Sequence, residues 1–424
     1  MVTNPSWTVV RRRMSRKPLL STLLSTDNVL AIGIILMASS LSPFALVEVG
    51  LFPDQIFFLA LMPLYLLYII TKTKFRINPI IAFVLFSQII VFFLVFMIDG
   101  FAGHLKAIGT LLSIGIISVF FRSYLLDIRS FVRIAVLFTL VVLLLSAVST
   151  VLAYVGYFRP IPLFDRGNGE IVYRVGYTIS NTVYPAGWGY FIRPGGVFIE
   201  SGQLAMYTAL AIIANAVVLN NHKYERLLIF LGLFTASLGF FVYLLAFLIL
   251  FRRWKMLGFF VGSFLLALLL FGESALPKGN IVAQHTLGRV DSFFTVGIGG
   301  NRAAATQLVF SNLGKLPLLG SANDSVFRAP GADATILSPF LRYGIVGGIF
   351  PYLHILLFIM VPMPAGAQSK LQIDIQKNMF AIFILLMLSL FHRPFTLHFL
   401  YYIYLIALFE WEMHSYYSAK VKSG

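Results

Sequence analysis

The stretch LLIFLGLFTASLGFFVYLLAFLIL, residues 227–250, carries no charge and is closed by cations at both ends. His222-Lys223-Tyr224-Glu225-Arg226 precedes it and Arg252-Arg253-Trp254-Lys255 follows it. Basic flanks belong on the cytoplasmic side of a membrane, so a single crossing satisfies only one of them. Two complete crossings need about 40 residues, at about 20 for each helix, and only 24 are present. The pattern predicts a helix that breaks near Thr235-Ala236-Ser237-Leu238-Gly239 and turns back, each arm reaching part way through the bilayer. Backbone freed at such a break has to line a cavity or pack against protein. The competing reading is one span with one flank against the charge rule.

The rest of the chain has the same character. Of 424 residues 59% are apolar, 11% are charged and 42 are Phe, with a mean hydropathy of +0.89. An ordinary globular chain has about 25% charged residues, so too few polar side chains exist here to cover a water-facing surface. Apolar runs recur at about 29–47, 52–71, 79–98, 104–122, 133–156 and 202–220, and again at about 256–273, 337–362, 379–392 and 397–411. The expected fold is an all-α polytopic membrane protein of about 10–12 transmembrane segments. Lys72, Lys74 and Arg76, then Arg122, Arg129 and Arg133, then Lys223 and Arg226 follow alternate spans, which puts the N-terminus in the cytoplasm. Arg11, Arg12, Arg13, Arg16 and Lys17 precede the first span with no obvious small-residue cleavage site, so it reads as an uncleaved signal anchor. The expected division is a cytoplasmic N-terminus at 1–28, a transmembrane domain at 29–411 and a cytoplasmic tail at 412–424.

Thirty-two Lys and Arg against 16 Asp and Glu give a net charge of +16, which the basic cytoplasmic loops of a multi-pass protein explain without nucleic acid as a partner. The absence of Cys excludes disulfides, thiolate metal sites and a Cys nucleophile. There is no His-Glu-x-x-His, Asp-x-Asp or Walker pattern, so a metal-activated water, a metal-dependent nucleotide-sugar transferase and an ATP-driven pump lack support. The expected chemistry uses no metal and no cofactor.

Two external segments, about 158–201 and 273–336, are rich in Gly, Pro, Asn, Ser and Arg. The first holds Arg159, Arg166, Arg174 and Arg193, and the second Lys278, Arg289, Arg302, Lys315 and Arg328, where the charge rule asks for few cations. Cations on the wrong side call for an anionic partner. The planar guanidinium fork suits phosphate, and a pyrophosphate carried by a membrane lipid fits both the charge and the depth. Ile192-Arg193-Pro194-Gly195-Gly196-Val197-Phe198-Ile199-Glu200-Ser201 opens a span from outside and sets a cation and a carboxylate beside irregular backbone. Its bland alternative is an Arg193 to Glu200 pair stapling the loop to a helix start. Ser237 at the break could turn its hydroxyl to substrate, or bond its own backbone as most intramembrane serines do. His354 lies inside a span without an evident partner, and His104 reads as packed or interfacial. His392 and Arg393 form a further basic point at the outer turn, and Tyr401, Tyr402 and Tyr404 read as interface-belt or lipid-facing aromatics. Tyr184, Trp188 and Tyr190 are candidates for sugar stacking.

The second segment runs through Gly300-Asn301-Arg302, a short helix over 303–311, Leu316-Pro317-Leu318-Leu319-Gly320, Asp333-Ala334-Thr335 and Arg342-Tyr343-Gly344-Ile345-Val346-Gly347-Gly348. That order, with the Arg-Pro-Gly-Gly-Val-Phe segment and the Thr-Ala-Ser-Leu-Gly break, resembles the O-antigen polymerase and O-antigen ligase superfamily of bacterial envelopes, whose bundles are of the GT-C type. Ligases of that superfamily usually carry a His-Asn pair about ten residues before the Tyr-Gly; Asp333 and Ala334 stand there, which is closer to the polymerases. The resemblance implies a metal-independent glycosyltransferase of the bacterial inner membrane with its site on the periplasmic side. Its substrate would be an oligosaccharide on undecaprenyl pyrophosphate, a membrane lipid, and a chain-length regulator protein would be a partner. Arg193 and Arg302 would stabilise the leaving pyrophosphate, Asp333 would act as base, and Arg289, Glu200, Ser237 and Tyr343 would line the substrate site. Asp333 could instead cap a helix, and Arg302 could be a solvated loop cation. The alternatives are an O-antigen ligase delivering the glycan to lipid A-core, and a transporter or flippase of a lipid-linked sugar.

Overall fold

The computed structural model describes residues 76–100, 102–123, 126–165, 171–186, 188–198, 200–271, 310–311, 313–320, 338–358, 370–392 and 399–423. These are mostly helical, in the order α1 (Pro79–Asp99), α2 (Ala102–Arg122), α3 (Ile128–Tyr154), five short strands, α4 (Ser201–Ala214), α5 (His222–Gly232), α6 (Leu238–Leu250) and α7 (Trp254–Phe271). After these come α8 (Ser338–Gly347), the single turn α9 (Leu353–Leu356), α10 (Lys370–His392) and α11 (Phe399–Ser423). Among the described residues three stretches, Pro79–Ile98, Ile128–Tyr154 and Ser201–Leu219, are long and apolar enough to cross a membrane. The expected runs at 29–47 and 52–71 lie outside the described residues.

Local chemistry sets the helix starts. Asn78 accepts from Ile80 N ahead of Pro79, Asp127 accepts from Arg129 N and Ser130 N, and Asn221 accepts from Lys223 N and Tyr224 N, so α1, α3 and α5 each begin on a side-chain cap. The middle of the assembly is α4, packed by α3, α5, α6 and α11. Ala205, Ala211 and Ala214 have no exposed surface, and small residues of this kind allow close approach of helices where lipid offers no hydrophobic driving force. Residues 400–410 of α11 are buried on every side, as expected of an all-round apolar helix.

Five sequence expectations are amended. The segment 158–201 is not plain loop, and the all-α expectation gives way there. Ile161–Asp165, Ile171–Val175 and Thr178–Ser180 form a three-stranded antiparallel sheet (β1–β3), and Val183–Ala186 pairs with Gly189–Ile192 (β4, β5). The run expected at 337–362 is broken. Gly344 sits at φ +78 inside α8, and a 3-10 turn at Phe350–Tyr352 follows. A side chain at Gly344 would meet the carbonyls of Pro317 and Leu318, which accept from Ile345 N (2.9 Å) and Val346 N (3.0 Å). The helix at 379–392 begins earlier, at Lys370, and α11 continues without a break past 411 through the residues expected as a tail, since no Gly or Pro stops it before Gly424. Tyr401, Tyr402 and Tyr404 do not face lipid: each is 1% exposed, in the core.

The decisive stretch breaks where expected. α5 ends in a 3-10 turn at Leu233–Thr235, Ala236 takes a left-handed conformation (φ +45), Ser237 is extended, and α6 departs. The two arms are 11 and 13 residues long, about 16 and 20 Å at 1.5 Å per residue, short of a ~30 Å hydrocarbon layer. The hairpin closes on itself at its base. Arg253 Nη2 lies 2.9 Å from Glu225 Oε2, with Glu225 2% and Arg253 26% exposed by side chain, so both basic flanks stand at one end of the assembly. The β-strands lie at the other end, on the last turns of α3, where Ser149 Oγ accepts from Tyr177 N (2.9 Å).

Gly232 lets Phe240 of the second arm lie against the first, since an added methyl would fall on that ring. Gly232→Ala therefore overpacks the hairpin and is expected to cost about 1–3 kcal/mol, read as a lower unfolding midpoint in detergent. Gly258→Ala on α7, where the added methyl meets open space, is expected to leave the midpoint unchanged or to raise it. Equal midpoints for both variants would contradict this packing.

Candidate functional site

The site is built where the loop after β5 meets the hairpin tip. Arg193 follows β5 and is held through its backbone: its N–H donates to the Thr182 carbonyl (3.2 Å) and its own carbonyl accepts from Ser180 Oγ (2.8 Å). The next residues are pinned to β3. Gly195 N–H donates to Ile179 O (2.7 Å), Ile179 N–H donates to Gly196 O (2.9 Å), and Gly196 N–H donates to Thr178 Oγ1 (2.9 Å). Thr178 in turn stands 3.3 Å from Ser146 of α3, so the Arg-Pro-Gly-Gly backbone is tied to a long helix through the small sheet. Phe198 stacks on Tyr207 of α4 at 4.4 Å and completes the turn into that helix.

From this frame the Arg193 side chain, 7% exposed, reaches the break: its Nε–H donates to the carbonyl of Ala236 at 3.2 Å. Two regions that are 43 residues apart, each picked out by the sequence, are thus brought into contact. The electrostatics follow from the break. The end of the first arm presents carbonyl oxygens, which favour a cation, while α6 begins beside it with the positive pole of its dipole. Ser237 is the N-cap of α6 and 1% exposed, yet its side chain makes no cap hydrogen bond, so it is not spent on its own helix start. Thr235, buried beside it, does bond its own backbone, to Gly232 O (2.8 Å). The result is a buried guanidinium at an unwound intrahelical turn, an arrangement suited to holding an anion against irregular backbone.

The other expected residues divide. Glu200 is 6% exposed at the N-cap of α4, without a side-chain cap hydrogen bond. Tyr343 belongs to a different contact, edge-to-face on Phe92 of α1 at 4.7 Å. Asp333, Arg302, Arg289 and Arg393 lie outside the described residues, as do the side chains of His104 and His392. Trp188, at the β4–β5 turn, is 89% exposed and open to stacking.

Three features were not foreseen. The Ala236 carbonyl, rather than the Ser237 hydroxyl, is the group that Arg193 meets; the signal was the required reversal at that point, which demands a left-handed residue. The Glu225–Arg253 pair was visible as the one acid between the two basic flanks. His354 is fully buried, its ring against Tyr401 (5.8 Å) and Tyr402 (4.7 Å). Beside it Tyr402 donates to Gln88 Oε1 (2.6 Å) and Gln88 donates to the Phe350 carbonyl (2.7 Å).

Ala236 holds a conformation that costs an L-residue about 1–2 kcal/mol and glycine almost nothing. Ala236→Gly keeps the carbonyl that Arg193 uses, and after the entropy loss of glycine it is expected to gain up to about 1 kcal/mol. A raised unfolding midpoint is the expected reading, and a clear fall would contradict the left-handed tip.

Comparison with known protein families, with curated proteins and with solved structures gives no match.

Proposed function

We propose that this chain is a polytopic, GT-C-like glycosyltransferase of the bacterial inner membrane that polymerises O-antigen or a related polysaccharide on undecaprenyl pyrophosphate at the periplasmic face. The observation that carries the reading is the buried Arg193 guanidinium bonded to the Ala236 carbonyl at the hairpin tip. With the hairpin base at the cytoplasmic face, arms of 11 and 13 residues end about 10–14 Å short of the opposite face of a ~30 Å layer. Arg193, carried by the loop that follows β5, meets the hairpin at that tip. The Pro-Leu-Leu-Gly and Tyr-Gly-Ile-Val segments of the superfamily resemblance are bonded to each other through Ile345 N and Val346 N, which supports reading them as one unit.

In the proposed reaction a hydroxyl of the non-reducing-end sugar of one lipid-linked repeat attacks the anomeric carbon of the growing glycan on another carrier. The bond from that carbon to the pyrophosphate oxygen breaks as the new glycosidic bond forms, with inversion. Negative charge gathers on the departing pyrophosphate, and Arg193, joined by Arg302 in this reading, stabilises it in a partly water-excluded site. Asp333 takes the proton of the attacking hydroxyl. The Ala236 bond to Nε fixes the plane of the Arg193 fork, so a lysine in its place keeps the charge and loses the orientation.

The test uses purified protein in liposomes with a lipid-linked repeat unit and no energy source. Chain lengthening is expected from the wild type, and Arg193→Lys is expected to lower its rate about 100-fold or more, within the range for loss of one preorganised charge donor. Unchanged lengthening by Arg193→Lys would refute the pyrophosphate role. Movement of substrate across the bilayer without chain growth would favour a flippase, and transfer only to lipid A-core would favour a ligase.

A further inference from the structure

At the base of the hairpin α6 ends in a six-to-one turn. Arg252 N–H donates to Ile249 O (3.1 Å), Arg253 N–H donates to Leu248 O (2.8 Å), and Arg252 takes the left-handed position at φ +56. Glycine is the ordinary occupant of that position, because it alone carries no penalty there. At Arg252 that position instead carries an exposed cation. Arg252, Trp254 and Lys255 are all exposed, and across the base Lys223 and Arg226 of α5 are exposed as well. Glu225, the one carboxylate within residues 222–255, is buried and already paired with Arg253, so it neither neutralises the outer cations nor lets the two arms separate.

The side chains one turn further along each helix identify the surroundings. Lys223 and Arg226 lead along one face of α5 to Leu227 and Phe230, 49% and 60% exposed, and Lys255 leads along α7 to Phe259, 76% exposed. Trp254, 59% exposed, stands between charge and apolar surface. Cations at a helix end, an indole beside them and bare phenyl rings one turn deeper follow the polarity profile of a bilayer from headgroup to acyl chain. An aqueous polyanion would meet the cations but leave the aromatic stripe in water.

The geometry points to a binding surface for the phosphate headgroups of anionic diacyl lipids, formed by Arg252 and Lys255 where α6 passes into α7 and by Lys223 and Arg226 on α5. It lies at the opposite end of the hairpin from Arg193 and is independent of the transfer reaction. Because the base is clamped by Arg253 and Glu225, lipid held there bears on the hairpin as a whole.

The test compares wild type with Arg252→Gly/Lys255→Gln, and separately with Lys223→Gln/Arg226→Gln, in nanodiscs of phosphatidylcholine with or without phosphatidylglycerol. Lipid retained by the extracted protein is counted. Wild type is expected to retain phosphatidylglycerol in preference to phosphatidylcholine. Either double variant is expected to lose that preference by roughly 25-fold, at about five-fold for each cation near an anionic surface. Arg252→Gly alone is expected to unfold in neutral detergent at or above the wild-type temperature, because its turn prefers glycine. The second pair gives the same reading without touching the turn. A wild type with no lipid preference, or both double variants keeping it in full, would overturn the proposal. Displacement of the lipid by inorganic phosphate at matching concentration would overturn its assignment to the membrane.

Discussion

The ion pair between Glu225 and Arg253 is the constraint on which the rest depends. It joins the first turn of α5 to a residue three positions past α6, and so requires the chain between them to go out and come back within a length that allows only one crossing. With Glu225 2% exposed, removal of the arginine would strand a buried charge, a loss of roughly 3–5 kcal/mol for a fully buried pair and less here because Arg253 keeps contact with solvent. The return fixes a break in the helix, and the break in turn leaves backbone that must be satisfied.

That backbone is what Arg193 meets. The order of dependence runs from base to tip: paired flanks force the reversal, the reversal forces a left-handed residue, and Ala236 in that conformation turns its carbonyl to the Arg193 Nε. The opposing side is equally determined, because β3, β5 and α3 hold the Arg193 backbone through Ser180, Thr182 and Thr178. Asn220, Ala236 and Arg252 are the non-glycine residues with positive φ among the described residues, and they mark the start, tip and end of this one hairpin. Backbone strain is thus gathered in a single element rather than spread over the helices.

Much of this was legible from residue patterns, and the misses have identifiable causes. The break near 235–239 could be read because charge sidedness is a long-range rule that survives any local ambiguity. The strands are masked in the sequence by the Gly and Pro of 158–201. Yet Ile171-Val172-Tyr173-Arg174-Val175 and Thr178-Ile179-Ser180, separated by Gly176-Tyr177, carry the β-branched runs and two-residue turn of a hairpin. The break at Gly344 was hidden inside an apolar run, since hydropathy does not register a glycine whose hydrogen atom faces another segment's carbonyl. Burial of Tyr401, Tyr402 and Tyr404 was missed because an apolar helix has the same composition whether it faces lipid or protein.

The most direct measurement uses the absence of native cysteine. Single cysteines at Lys223 and Lys255 in sealed vesicles of known orientation are treated with a membrane-impermeant maleimide. Both are expected to react from the same side, the cytoplasmic one. Reaction of the two from opposite sides would mean that residues 227–250 cross the bilayer once, and the hairpin, its tip and the site at Arg193 would go with it.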